Sequence, residues 1–146
     1  MAEANINDKF NFELVSPERK LMSRPVEKVV IPGEEGDFGV LANHASLVAT
    51  IRPGVVKVYD ERDGEATDIF IAGGFADVSA ENCTILAEEA VPVVDLDSDN
   101  LQKRLGKVET KLEQTEDKGE KQLLSKELGV IRAKLAALSI DKALAA

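Results

Sequence analysis

The residues able to do chemistry are few, and their spacing excludes more reactions than it permits. His44 is the only histidine and Cys83 the only cysteine. Metal sets built on several histidines and His–His proton relays are therefore impossible, and no metal ion is expected. A Cys83–His44 nucleophile pair would need an activated thiolate, but Cys83 lies in a strand-like pattern, where a small buried thiol is the ordinary outcome. Neither G-x-x-x-x-G-K-[ST] nor G-x-G-x-x-G occurs, so no standard phosphate cradle is present and no cofactor is expected. Gly33-x-x-Gly36 and Gly73-Gly74 read as turn glycines. Asp95-Leu96-Asp97-Ser98-Asp99 places acids at positions 1, 3 and 5 of a calcium loop. That loop wants Gly at position 6 and Glu at position 12, where this chain has Asn100 and Gly106. The same acids are better read as an N-cap (Asp97, Ser98 or Asp99), with negative charge at the positive end of a helix. Glu34-Glu35 and Glu88-Glu89 are chain neighbours, point apart in a strand, and mark no acid–base pair. No catalytic group emerges.

The elements that must position these residues come in two kinds. The chain has 146 residues and a net charge of -9, which argues against nucleic acid, where phosphate neutralisation supplies the affinity. No apolar run approaches the roughly 18 residues that a membrane span takes. Residues 1–95 carry 8 basic and 18 acidic side chains; residues 96–146 carry 10 and 9. All five Pro, all five Phe and seven of the ten Gly fall in the first part, which puts a domain boundary near Asp95–Asp99.

The first part alternates with period 2. Phe10, Phe12 and Leu14 alternate with Asn11 and Glu13; Val26–Ile31 is β-branched and stops at Pro32-Gly33; Val56 and Val58 share a face opposite Lys57. Asp60–Glu65 reads as a hairpin turn, with Asp63-Gly64 expected to supply positive-φ residues. Ile69 and Ile71, then Ala76 and Val78, continue the alternation, and Thr84 and Leu86 share one face of Cys83–Ala87. Seven or more short strands between turn signals predict an antiparallel β-sandwich or barrel.

The second part changes to helical spacing. Leu101, Leu105, Val108, Leu112 and Thr115 form one apolar stripe, and Leu124, Leu128, Ile131, Leu135 and Leu138 form another. The polar link Glu116–Gly119 is short, so the helices (about 98–115 and 120–140) must be antiparallel neighbours. The expected pairs are Leu112 with Leu124, Val108 with Leu128, Leu105 with Ile131 and Leu101 with Leu135. Gly106 and Gly129 fall at about the same level, and the backbones are expected to approach most closely there. The fold class is thus α+β, an N-terminal β-sandwich (1–95) followed by a two-helix hairpin (96–146). Two glycines and an open seam make that hairpin marginal alone. By physics alone, a binding or regulatory part fits better than an enzyme, with a free-standing adaptor domain as the alternative reading.

Gly36–Gly54, GDFGVLANHASLVATIRPG, resembles the epsilon subunit of bacterial F-type ATP synthases, whose members show G-x-[FL]-G-[IV]-x-x-x-H-x-x-[LM] and then an x-[PG]-G step. Val26-Glu27-Lys28-Val29, Ala72-Gly73-Gly74-Phe75 and Asn82–Glu88 resemble further runs of that family. The resemblance covers about residues 9–95 by motif and 96–146 by architecture. It implies a non-catalytic rotor-stalk subunit, peripheral at the cytoplasmic face of the bacterial inner membrane, with the gamma subunit and the c-ring as partners. Ser16, His44 and Ala49 match positions near gamma, and Asp37 matches one facing the c-ring. The family's hairpin also acts as a movable arm that can reach the alpha and beta subunits of the catalytic head and block ATP hydrolysis. Lys103, Lys107 and Lys111, one turn apart on one face, could serve such a contact. The family's nucleotide motif, [IL]-D-x-x-R-A, is broken here by Asn100 and Leu101, so no nucleotide site is expected. Ala42-Asn43 stands where relatives often have Pro-Gly.

Overall fold

The computed structural model describes residues 8–145, and side chains as far as residue 140. It divides into two units, residues 1–91 and 92–146. The first holds β1 (Phe10–Val15), β2 (Lys20–Val26), β3 (Lys28–Gly33), β4 (Gly36–Val40), β5 (Leu47–Ile51), β6 (Gly54–Tyr59), β7 (Ala66–Ile71), β8 (Gly74–Val78) and β9 (Asn82–Ala87); β10 (Ala90–Pro92) runs up to the boundary. The hydrogen-bonded order is β10-β7-β6-β3-β5-β8-β9-β1-β2, with β4 paired separately to β3.

The alternating residues close the core. Phe12, Leu14, Val29, Ile31, Val56, Val58, Ile71, Val78, Cys83 and Ile85 are fully or almost fully buried in a single cluster. Their partners on the opposite pleat are polar or part-exposed, such as Lys57, which meets Asp68 directly across the β6–β7 ladder at 3.2 Å. One pairing departs from the antiparallel expectation: β1 runs parallel to β9, with Phe12 opposite Cys83 and Leu14 opposite Ile85. The strands β2, β4, β5 and β10 carry no clean alternation, which is why sequence periodicity passes over them. β2 ends the sheet path and includes Pro25, a residue that edge strands tolerate because a ladder bond is not required there.

Turn chemistry needs glycine at few places. Gly74 has φ +147, and a Cβ there would sit 2.1 Å from the Leu86 carbonyl oxygen, so no other residue fits between β8 and β9. Gly36 (φ +135) turns the β3–β4 hairpin. The β6–β7 connection differs from expectation. It spans six residues, and neither Asp63 nor Gly64 has positive φ; instead Gly64 N–H donates to the Glu61 carbonyl at 2.9 Å, closing an ordinary turn. A longer loop removes the twist constraint that demands left-handed residues in two-residue hairpins.

The second unit opens with a short 3-10 turn (Val93–Asp95), followed by α1 (Ser98–Gln114) and α2 (Lys118–Ala145). Asp97 is the cap of α1: its carboxylate accepts from the N–H groups of Asp99 (3.0 Å) and Asn100 (3.2 Å). Asp117 does the same for α2, accepting from Gly119 at 2.8 Å. Thr115, placed on the first stripe by its spacing, is instead the C-cap of α1.

Val108, Leu124, Leu128 and Ile131 are buried together, with Leu101, Leu105, Leu112 and Leu135 packed against them, which is the set of eight expected from the leucine spacing. Two ion pairs flank the seam, Arg104–Glu127 at 2.5 Å and Arg132–Glu109 at 3.3 Å. Both pairs lie in solvent, which screens them, so they guard the register more than they hold the hairpin.

The glycine expectation fails. Gly106 and Gly129 are exposed, and a Cβ on either would meet nothing within 4 Å. The reason is angular. At 100° per residue both lie about 140° from the seam, so sharing a level does not bring them together. The register rests on the apolar seam and its flanking ion pairs, not on the glycines.

Candidate interaction surface

Among the described residues no group of three or more His, Cys, Asp or Glu could hold a metal ion. Cys83 is fully buried, and burial, aided by the nearby Asp77 carboxylate, pushes its thiol up to about 12. A thiol so held is no nucleophile at neutral pH. His44 is half-buried, and its Nδ1–H donates to the Ala45 carbonyl at 2.6 Å, leaving Nε2 as its free nitrogen. Neighbouring Asn43 has φ 67 and its N–H donates to the Ala80 carbonyl, so this loop holds a left-handed residue that asparagine tolerates.

The surface itself is the outer face of β5-β8-β9-β1. Thr50 lies opposite Phe75, Phe75 opposite Leu86, and Leu86 opposite Val15, one row across four strands. Val48 extends it along β5. Val48, Phe75 and Leu86 remain 71%, 54% and 53% exposed. Large apolar side chains grouped on an otherwise polar sheet face mark a contact surface rather than a chance. Sequence alternation puts Thr84 and Leu86 on one face of β9; that this face points outward depends on which side Cys83, Ile85 and Ala87 take.

The residues selected by resemblance do not converge. Ser16 follows the end of β1, beside Leu86, and its N–H donates to the Arg19 carbonyl at 2.9 Å. His44 lies by the β8–β9 turn, at the other end of those strands, about 13 Å away along the strand direction. Ala49 lies opposite the buried Ala76, on the core side of β5. Asp37, on β4, is exposed but partnered: Arg52 reaches its carboxylate at 2.5 Å and the Gly33 carbonyl at 2.5 Å, tying the β3–β4 hairpin to the end of β5. That latch has no signal in the sequence, since Arg52 and Asp37 belong to different elements.

On the second unit Lys103, Lys107 and Lys111 are exposed on the side of α1 away from the seam. Asn100 Nδ2 donates to Asp97 at 3.2 Å and Leu101 packs in the seam, so both positions of the broken nucleotide motif have structural work.

Residues 9–93 match the family described as ATP synthase, Delta/Epsilon chain, beta-sandwich domain. The chain belongs to this family. Relatives named ATP synthase epsilon chain include one from Maricaulis maris, 56% identical over 67% of this chain and 72% of its own length. Another, from Rhodospirillum rubrum, is 43% identical over 86% of this chain and 93% of its own, so the likeness continues into the helices. Among solved structures, a chain of the Euglena gracilis mitochondrial ATP synthase, in a complex described as OSCP/F1/c-ring, has a TM-score of 0.79 at 29% identity, over 94% of this chain and 86% of that one. A chain of the Tetrahymena thermophila mitochondrial ATP synthase central stalk and c-ring shares the fold with a TM-score of 0.66 at 14% identity, over 89% of this chain and 96% of that one. The protein is a non-catalytic stalk subunit of an F-type ATP synthase. Among the described residues no helix is long and apolar enough to cross a membrane.

Proposed function

We propose that the sheet unit fastens this subunit to the gamma shaft of the synthase, stands on the c-ring, and couples the two, at the cytoplasmic face of the bacterial inner membrane. The observation that carries the reading is the exposed apolar row Val48, Phe75 and Leu86 on a chain of this family. Water released from such a row favours association by about 25 cal/mol per Å² of apolar area covered. Ser16 stands beside the row where it reaches β1, His44 lies farther along the strands by the β8–β9 turn, and Ala49 is the neighbour of Val48 on β5. Asp37, held by Arg52, braces the hairpin that faces the polar loops of the c-ring.

The helical hairpin is the regulatory part. Its lysine face, Lys103, Lys107 and Lys111, would meet acidic segments of the alpha and beta subunits and slow ATP hydrolysis when the arm is raised. Such a contact weakens with salt, because exposed charges are screened beyond about 10 Å at 0.1 M.

Binding of purified gamma tests the first part. Phe75→Glu and Leu86→Glu should each weaken binding at least tenfold while leaving the melting temperature within a few degrees, since both side chains lie outside the core. Unchanged binding in both variants would remove the reading.

A further inference from the structure

We propose that the cleft between the β3–β4 hairpin and the open edge of β5 is a strand-addition site, filled in the assembled synthase by an extended, basic segment of the shaft partner. The proposal deepens the shaft-binding reading and rests on it. The cleft is lined by Gly33–Phe38 on one wall and Leu47–Thr50 on the other, and has a volume of about 590 Å³.

β5 pairs with β8 along its whole length but meets β3 only at Gly33–Ile51. Glu34 N–H donates to the Thr50 carbonyl, which fixes the direction of the backbone groups. Groups alternate sides along an antiparallel strand, so Leu47, Ala49 and Ile51 bond β8, while Val48 and Thr50 turn toward the cleft. The Val48 N–H and C=O and the Thr50 N–H therefore face it with no backbone partner among the described residues. Open edges are normally blunted by charge, proline or a bulge. Leu47-Val48-Ala49-Thr50 carries none of these. An unguarded edge beside an exposed Val48 is a template for an added strand.

The opposite wall chooses the strand's chemistry. Glu34 and Glu35 are exposed, and no cation among the described residues meets either. Arg52, the nearby cation, is taken up by Asp37 and the Gly33 carbonyl. The cleft thus offers two uncompensated carboxylates on one side and an apolar edge on the other. An extended segment with Lys or Arg alternating with apolar residues satisfies both, because alternate side chains leave opposite faces of a strand.

Amide hydrogen exchange at Val48 and Thr50, in the isolated chain and in the complete synthase, provides the direct test. The expected result is exchange at least 100-fold slower at both amides in the complex. Unchanged rates there overturn the proposal. So does protection that appears in the isolated chain as its concentration rises, since a second copy would then fill the edge. Val48→Pro removes the edge donor without touching the β8 ladder and should weaken gamma binding at least tenfold. Glu34→Gln with Glu35→Gln should flatten its salt dependence. If Phe75→Glu weakens binding while Val48→Pro and the glutamine pair do not, the shaft reading survives and strand addition falls. If none of them does, both fall.

Discussion

Replacing Gly106 and Gly129 with alanine puts the packing of the helical hairpin to a signed test. Both glycines lie inside helices, both are exposed, and a Cβ at either would find open space. Each therefore contributes only the penalty of a flexible residue in a helix, about 0.8–1.0 kcal/mol relative to alanine. The two sites share no packing partner, so their effects should add to about 2 kcal/mol. At about 1.4 kcal/mol per tenfold in an equilibrium constant, the double variant should slow amide exchange at buried seam positions such as Val108 and Leu128 by about 15- to 30-fold. The measurement is hydrogen exchange on the full chain, with the strands of the sheet unit as an internal control expected not to change. Were the helices instead in closest contact at these glycines, two added methyl groups would force the seam apart, and exchange would speed up. A double variant less stable than the parent refutes the packing described here, and one with no change refutes the propensity argument.

Other consequences attach to single residues. The Cys83 thiol, raised from 9.0 to about 12, stays protonated in the folded chain after it ionises in the unfolded one. Its contribution is intact below about pH 9 and is lost as pH rises toward 12, roughly 1.4 kcal/mol per pH unit in that window. Urea melts of the parent and of Cys83→Ala between pH 8 and 11 should therefore converge, and parallel curves would refute the burial argument. Gly74→Ala, with φ +147 and a Cβ driven onto the Leu86 carbonyl, should cost more than about 3 kcal/mol, read as a lost or greatly lowered thermal transition. Asn43→Gly should leave stability level or slightly raised, whereas Asn43→Ala should cost about 1 kcal/mol, because the loop holds φ 67. Lys103, Lys107 and Lys111 changed together to Ala should raise ATP hydrolysis by the assembled synthase at low salt, and an unchanged rate would remove the brake from this chain.

The sequence by itself determined the two materials and much of their interior. Period-2 alternation at Phe10–Leu14 and Val56–Val58 named core residues, because a strand buried on one face must alternate whichever strand it pairs with; in Cys83–Ala87 it put Thr84 and Leu86 on one face without saying which face is buried. The leucine spacing named all eight seam residues, because a short polar link leaves two amphipathic helices one way to cover each other. The run from Gly36 to Gly54 pointed to the ATP synthase family, and the two periods agreed with that family's architecture.

What the tertiary structure alone decided concerns pairs distant in the chain. The parallel meeting of β1 with β9, the latch from Arg52 to Asp37, the open edge of β5 and the row joining Thr50, Phe75, Leu86 and Val15 each join residues from different elements. Local periodicity says nothing about which strands become neighbours. The outward orientation of Gly106 and Gly129 was legible in their helical angle, but residues at one level along two helices need not face each other. Direction around an axis, as much as position along it, settles what touches, and strand order and docking fix that direction only when the whole chain is folded.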